Sequence, residues 1–260
     1  MSFFPKSATM LQGRYEWGQY APHPALARWV SSYWYLSTGK GRHLVRTLPD
    51  ACIDLTLDLG RAPRAYVAGA LERAHTWPLR GEVRLVGARM LPGAAPLLGI
   101  DVDALADHWT PLDAFLPARA VERLLREARG AADSQRAAAV LDGFLSDRLL
   151  NRELDARLSR ALAEVFRTRG DVSVAALARA AGAHQRTLTR MFEQWVGLGP
   201  KRFARVVRFQ AALRELSEND NWAAVAAGLG YCDQAHFIRD VRDLFGATPR
   251  EIVRLAGRTE

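Results

Sequence analysis

One stretch in the second half of this 260-residue chain repeats itself at an offset of 48 to 49 residues, and that repeat limits the fold more than any other feature. Val174-Ala175-Ala176-Leu177-Ala178-Arg179-Ala180-Ala181-Gly182 aligns with Trp222-Ala223-Ala224-Val225-Ala226-Ala227-Gly228-Leu229-Gly230 at an offset of 48. Leu188-Thr189-Arg190, Phe192, Gly197 and Pro200 then align with Phe237-Ile238-Arg239, Val241, Gly246 and Pro249 at 49. The second copy therefore carries one more residue in its turn.

Each copy places a small alanine where two helices cross, a glycine four residues later for a tight turn, and an apolar residue six or seven beyond it to seat a second helix. Those are the requirements of a helix-turn-helix. From Leu158 onward there is no strand signal, and glycines at 170, 182, 197, 199, 230 and 246 mark off helices. Phe203, Val206, Val207 and Leu213 predict the buried face of a helix from Pro200 to about Leu216 that joins the two units. Thr248-Pro249-Arg250-Glu251 combines a capping box with proline at the first helical position, which predicts a further helix start.

The second helix of each copy leaves polar residues on positions that do not face its partner: Gln185, Arg186, Thr189 and Arg190 in the first, Gln234, Ala235, His236 and Arg239 in the second. Donors to base edges and phosphates are what a helix in the major groove of double-stranded DNA needs. Arg190 and Arg239 are read either as base contacts or as phosphate contacts. His236 is read either as a DNA contact or as a packing residue beside the turn. The chain has a formal charge of +8. Residues 151–260 hold a net +5 of it, and from 184 to 208 Arg186, Arg190, Lys201, Arg202, Arg205 and Arg208 face a single acid, Glu193. A local basic patch is expected there.

The first part reads differently. Cys52-Ile53-Asp54-Leu55-Thr56-Leu57-Asp58 alternates with period two, as a half-buried strand does. Similar runs at Trp29 to Leu36, Tyr66 to Ala70 and Val83 to Ala88 are separated by turn clusters such as Leu48-Pro49-Asp50. After Pro117 the period becomes helical, with Val121, Leu124 and Leu125 on one stripe and Val140, Leu141, Phe144, Leu145 and Leu149 on another. These two helices are expected to pack within the chain. The overall expectation is an α+β protein: residues 1–150 as a mainly antiparallel, cupin-like β domain for sensing or dimerisation with following helices, and residues 155–260 as an all-α DNA-binding domain, with the boundary at Leu150 to Leu154.

Leu177-Ala178…Gly182…Leu188-Thr189-Arg190-Met191-Phe192…Gly197…Pro200 and Val225-Ala226…Gly230-Tyr231…Asp233…His236-Phe237-Ile238-Arg239…Gly246-Ala247-Thr248-Pro249 resemble the AraC/XylS family of bacterial transcription regulators over residues 158–256. The resemblance implies two recognition helices entering successive major-groove segments on one DNA face. It departs from the family at His184, where a capping serine is usual, at Ala235 for a second serine, and at Val241 for a phenylalanine. Residues 15–110 resemble a less characterised domain that precedes such DNA-binding domains, through Tyr33-Trp34, Leu48-Pro49-Asp50-Ala51…Asp54-Leu55 and the stretch from Val86 to Gly99, with Ala51 in place of a usual glycine. Related regulators sense a small molecule or dimerise through a β domain at this position. The partners implied are double-stranded DNA, a small-molecule effector, RNA polymerase where the protein activates, and a second copy of the chain.

Trp29, Tyr33, Trp34, Tyr35 and Trp77 are read first as core, and second as lining an effector pocket, with Tyr33, Trp34 and Trp77 the candidates for contact. No phosphate loop, nucleophile elbow or His-Glu-x-x-His helix occurs, so neither a catalytic site nor a cofactor is expected. His23, His43, His75 and His108 lack the close pairing of a metal site, and no metal is expected. Asp50 and Asp54 read as a turn residue and a strand residue rather than as an acid–base pair. Cys52 and Cys232 are too few for a disulfide framework. With neither signal-peptide pattern nor membrane span in view, a cytoplasmic protein is expected. The competing class is a small-molecule-binding protein or enzyme whose helical part does not bind DNA.

Overall fold

The structure is a computed structural model that describes residues 9–12, 14–105, 109–218, 221–248 and 251. Among the described residues the first part holds nine strands: β1 (Thr9–Gln12), β2 (Tyr15–Tyr20), β3 (Val30–Thr38), β4 (Arg42–Thr47), β5 (Ile53–Asp58), β6 (Arg64–Ala68), β7 (His75–Arg80), β8 (Val83–Met90) and β9 (Trp109–Pro111). They form a three-stranded sheet in the order β1-β4-β7 and a six-stranded sheet in the order β2-β3-β8-β5-β6-β9. Every pairing is antiparallel. The four strands expected from alternation are present, with ends shifted by up to two residues. The other five were hidden by shortness or by sequence. In β7, Pro78 sits opposite Leu44, and the strand is tolerated because it lies at the edge of its sheet.

Period two decides what each face of the larger sheet meets. Tyr33 of β3, Leu55 and Leu57 of β5, and Val86, Ala88 and Met90 of β8 are buried in one core. That core is completed by helices α1 (Ala118–Gly130) and α2 (Ser134–Leu149), through Val121, Leu124, Leu141, Leu145 and Leu149. The two helices thus pack within the chain. The alternate residues, Trp34, Leu36, Asp54, Thr56, Leu85 and Arg89, face the smaller sheet across a cavity.

Six helices follow: α3 (Ala156–Arg167), α4 (Val174–Ala181), α5 (Gln185–Val196), α6 (Pro200–Glu218), α7 (Trp222–Gly228) and α8 (Gln234–Phe245). The sequence repeat is also a repeat of hydrogen bonds. Ala176 N donates to the N-cap Ser173 Oγ at 3.2 Å, and 48 residues on Ala224 N donates to Asn221 Oδ1 at 3.1 Å. At the other end Ala183 N reaches Ala178 O and Tyr231 N reaches Ala226 O, both at 3.0 Å, around Gly182 and Gly230 in the left-handed region. Past that point the offset is 49: α5 and α8 start at Gln185 and Gln234, and Gly197 N and Gly246 N cap Glu193 O and Arg242 O. The extra residue lies within Tyr231-Cys232-Asp233.

The joining helix α6 serves both units. Phe203, Ala204, Val206 and Val207 are buried with α3, α4 and α5, whereas Phe209, Ala211, Ala212 and Leu216 are buried with α7 and α8. Leu213 is half-buried. Of the expected helix start after Thr248, Pro249 and Arg250 lie outside the described residues. Thr248 N nevertheless donates to Glu251 Oε2 at 2.7 Å, and Glu251 N to Thr248 Oγ1 at 3.4 Å, the two bonds of a capping box.

Gly182 has φ +65° and only a distant arginine nitrogen near the position of an added Cβ. Its replacement by alanine therefore carries mainly the left-handed backbone cost, about 1–2 kcal/mol. Chemical denaturation of Gly182→Ala should show that loss with an unchanged m-value; no loss would mean that the turn is not held left-handed.

Candidate nucleic-acid interface and internal cavity

Helix α5 buries Leu188, Met191, Phe192 and Val196 and turns Gln185, Arg186 and Arg190 to solvent. Thr189 is half-buried, and its hydroxyl donates to Gln185 O at 2.9 Å within the same helix. Helix α8 buries Phe237, Val241, Leu244 and Phe245 and exposes Gln234, Ala235 and Arg239. His236 is half-buried and packs against Tyr231 beside the turn in a T-shaped contact with centroids 5.2 Å apart. Asp233 caps α8 by accepting from His236 N at 2.6 Å, whereas His184 makes no side-chain cap bond at α5. The first recognition helix thus lacks the cap that the second has.

The expected basic patch is divided by the fold. Arg205 donates to Asp240 at 2.5 Å and to Asp243 at 3.0 Å, tying α6 to α8. Asp240 also accepts from Tyr231 Oη at 3.0 Å, which with burial pushes the Tyr231 phenol above its ordinary pKa. Arg208 donates to Gly170 O at 2.9 Å and lies over the Tyr231 ring. Arg202 pairs with Glu72 of the β domain at 2.6 Å. Arg205 and Arg208 have buried faces because α6 is enclosed from two sides. Arg186, Arg190 and Lys201 remain exposed, two of them on α5.

The cavity between the sheets measures about 70 Å³. Four half-buried indoles border it: Trp17 of β2, Trp34 of β3, Trp77 of β7 and Trp109 of β9. Trp77 and Trp109 stand 5.1 Å apart between centroids, and Trp34 lies flat over Gly87, where a Cβ would overlap the indole. Of the expected aromatic set, Trp34 and Trp77 line this cavity. Tyr33 and Trp29 do not: one residue of strand register puts Tyr33 on the opposite face, and both are buried in the core against α1 and α2. Tyr35 also turns that way and stacks on Tyr20 at 5.6 Å.

The charged part of the wall was not anticipated from sequence. Arg89 Nη2 donates to Asp54 Oδ2 at 3.1 Å, and Arg89 Nε lies 3.3 Å from both Asp54 Oδ1 and Asp50 Oδ2. Trp34 Nε1 donates to Asp54 Oδ1 at 3.1 Å, and Cys52 N to Asp50 Oδ1 at 3.0 Å. Burial works against the charge on Arg89, but the two carboxylates outweigh it and hold the guanidinium above its ordinary pKa. Burial, aided by Asp54 and opposed by Arg89, pushes the Asp50 carboxyl up. The signal available in the sequence was an arginine on the face of β8 whose other residues include Leu85 and Gly87. Among the described residues no cluster of three His, Cys, Asp or Glu could hold a metal ion. His108 lies outside the described residues.

The segment from Val45 to Cys52 touches both the cavity and the helical units. Val45, Thr47, Asp50 and Cys52 line the cavity. Between them, Arg46 donates to Phe245 O at the end of α8 and lies over the Phe245 ring at 4.5 Å. Leu48 is buried in the core of the second unit, Pro49 O accepts from Gln210 of α6, and Ala51 is buried in the core of the first. Ala51 has φ +59°, a conformation that explains why glycine suits the position.

Residues 177–254 match the family described as Helix-turn-helix domain, and residues 18–111 match the family described as Domain of unknown function (DUF6597). An uncharacterized HTH-type transcriptional regulator of Haemophilus influenzae is 27% identical over 115 residues, which cover 44% of this chain and 39% of that protein's length. Among solved structures, ToxT from Vibrio cholerae is similar with a TM-score of 0.45 at 7% identity, covering 95% of this chain and 97% of that one. The AraC-like transcriptional activator CuxR gives a TM-score of 0.34 at 12% identity, covering 80% and 88%.

Removing Arg205 leaves Asp240, whose side chain is 10% exposed, with Tyr231 alone as its partner. Arg205→Ala should destabilise the chain by about 1–3 kcal/mol in equilibrium unfolding, the cost of an unsatisfied buried charged group. A change below about 0.5 kcal/mol, the range of ordinary surface substitutions, would show that the clasp contributes little.

Proposed function

We propose, from the helix-turn-helix domain that residues 177–254 match, that the protein is an AraC-type, sequence-specific transcription regulator responsive to a small molecule. The observation that carries the reading is the duplicated, hydrogen-bonded setting of α5 and α8, each with a polar face turned outward and both fixed to one joining helix. Two helices presented in this way suit two major-groove segments of one duplex. Gln185, Arg186, Thr189 and Arg190 serve the first, and Gln234, His236 and Arg239 the second. Arg239 is exposed and can approach a base edge or a phosphate, while His236 contributes from a half-buried position beside Tyr231.

Residues 1–150 act as the effector and dimerisation domain and residues 155–260 as the DNA-binding domain, without catalytic activity. The protein works in the cytoplasm as an activator, with RNA polymerase and a second copy of the chain as partners. Among the described residues no helix is long and apolar enough to cross a membrane. A ligand in the cavity acts on Val45, Thr47, Asp50 and Cys52, and their neighbours Arg46, Leu48, Pro49 and Ala51 carry the change to both helix-turn-helix units. Such a ligand regulates only to the extent that it binds one arrangement of that segment better than another.

Selection from a random duplex library followed by footprinting tests the DNA-binding reading. Protection of two segments about one helical turn apart on one face is expected. Arg190→Ala or Arg239→Ala should each weaken the selected site by about 1–3 kcal/mol and relax preference at one position if the arginine reads a base. Equal weakening on all sequences would assign it to phosphate, with the salt slope of binding reduced by about 1. No protected site at low salt would overturn the proposal.

A further inference from the structure

Resting on the effector-binding reading above, we propose that the cavity between the two sheets takes a small organic cation, an amine or ammonium compound with a compact apolar body. Among the described residues the charges in its wall do not balance: Asp50 and Asp54 face one guanidinium, Arg89, and these are the charged residues of that set that line it. An anionic ligand would meet an arginine already held by two carboxylates and a wall with excess negative charge. A cation meets the opposite situation.

The hydrogen bonding points the same way. Asp50 has a side chain only 6% exposed, and its Oδ2 has no hydrogen-bond partner, since Arg89 Nε at 3.3 Å is not in bonding geometry. The cluster is therefore one donor short as well as one positive charge short. Asp54, at 17% exposure, is the carboxylate that the cavity reaches more readily. Buried carboxylates without a compensating cation tend to take up a proton, and burial, aided by Asp54, does raise Asp50 against the opposing pull of Arg89 and the Cys52 backbone N–H. An ammonium group supplies the charge that the proton otherwise supplies.

The remaining wall fits the rest of such a ligand. Trp17, Trp34, Trp77 and Trp109 offer indole faces, the aromatic surfaces that attract cations best. They are half-buried, unlike the tryptophan in the core, Trp29. Gly87 keeps Trp34 flat beside Asp54, so one indole both borders the cavity and donates to the carboxylate. About 70 Å³ of space admits the equivalent of a few water molecules, which limits the enclosed part of a ligand to a small group.

Calorimetry and tryptophan fluorescence on the full chain would compare benzylamine, n-butylamine and tetramethylammonium with benzyl alcohol, n-butanol and benzoate. At least one cation should bind ten or more times as tightly as its neutral counterpart, and benzoate should be the weakest. Asp54→Asn and Asp50→Asn each remove one negative charge while keeping an acceptor for Trp34 Nε1 or Cys52 N, and should reduce the cation preference tenfold or more with unchanged circular dichroism. Gly87→Ala, which displaces Trp34, should weaken cations and neutral compounds alike. Binding of none of the cations, equal binding of cations and alcohols, or preference for benzoate would overturn the proposal. Footprinting the same preparation without any probe separates the two ideas: protected DNA with no cation binding refutes only the ligand class, and cation binding without protected DNA refutes only the regulator.

Discussion

Helix α6 is the constraint on which the helical half depends, because one helix of 19 residues must close two cores in succession. Its first half supplies Phe203, Val206 and Val207 to the first unit, and its second half supplies Phe209, Ala212 and Leu216 to the second. A helix used on two faces has little room for a clean polar stripe. Its arginines are accordingly turned to structural use: Arg205 joins α8 through Asp240 and Asp243, and Arg208 reaches back to Gly170. The relative placement of α5 and α8 is thereby set by ionic and hydrogen-bonded contacts as well as by apolar burial. Rigid spacing matters for a protein reading two groove segments, since any freedom between the helices must be lost on binding.

The β domain adds a second hold on the same two units. Ala74 N donates to Leu244 O at 2.7 Å, Arg46 reaches Phe245 O, Glu72 pairs with Arg202, and the segment from Leu48 to Ala51 enters both helical cores. A strand can do this because alternate side chains point to opposite sides. In β4, Val45 and Thr47 face the cavity while Arg46 faces α8, and the turn that follows keeps this division. A change in the cavity wall therefore has a path of one residue, within a single covalent segment, to the groups that seat the recognition helices.

The helical half was largely legible in the sequence, down to the residue inserted in the second turn, because each helix-turn-helix is specified locally by caps, glycines and 3.6-residue spacing. His184, Val241 and the exposed face of α5 stand where spacing puts them. The basic patch was misread for the same reason: spacing along α6 shows which residues are close in sequence, but not that Asp240 and Asp243 approach Arg205 from 35 and 38 residues away. In the β half, strands with clean alternation were visible and edge strands were not. Tyr33 and Trp34 are adjacent in sequence and lie on opposite faces of a sheet, so an aromatic cluster alone could not tell core from cavity. Trp17 and Trp109 are 92 residues apart, on β2 and β9 at opposite edges of the larger sheet, and only the folded chain makes both line one cavity.

The overall charge of +8 proves a poor guide to where DNA would be held. Arg46, Arg89, Arg202, Arg205 and Arg208 are all engaged inside the protein or at the contact between its two halves. What remains exposed on α5 and α8 is a small number of cationic side chains, Arg186, Arg190 and Arg239 foremost, on helices whose positions are fixed from behind. A surface with few cations gains modest non-specific affinity from counterion release. Discrimination between sequences then depends on how rigidly those few groups are aimed. That aim rests on the α6 clasp and on the turn from Leu48 to Ala51, which makes the contact between the halves part of the DNA-reading apparatus rather than mere support for it.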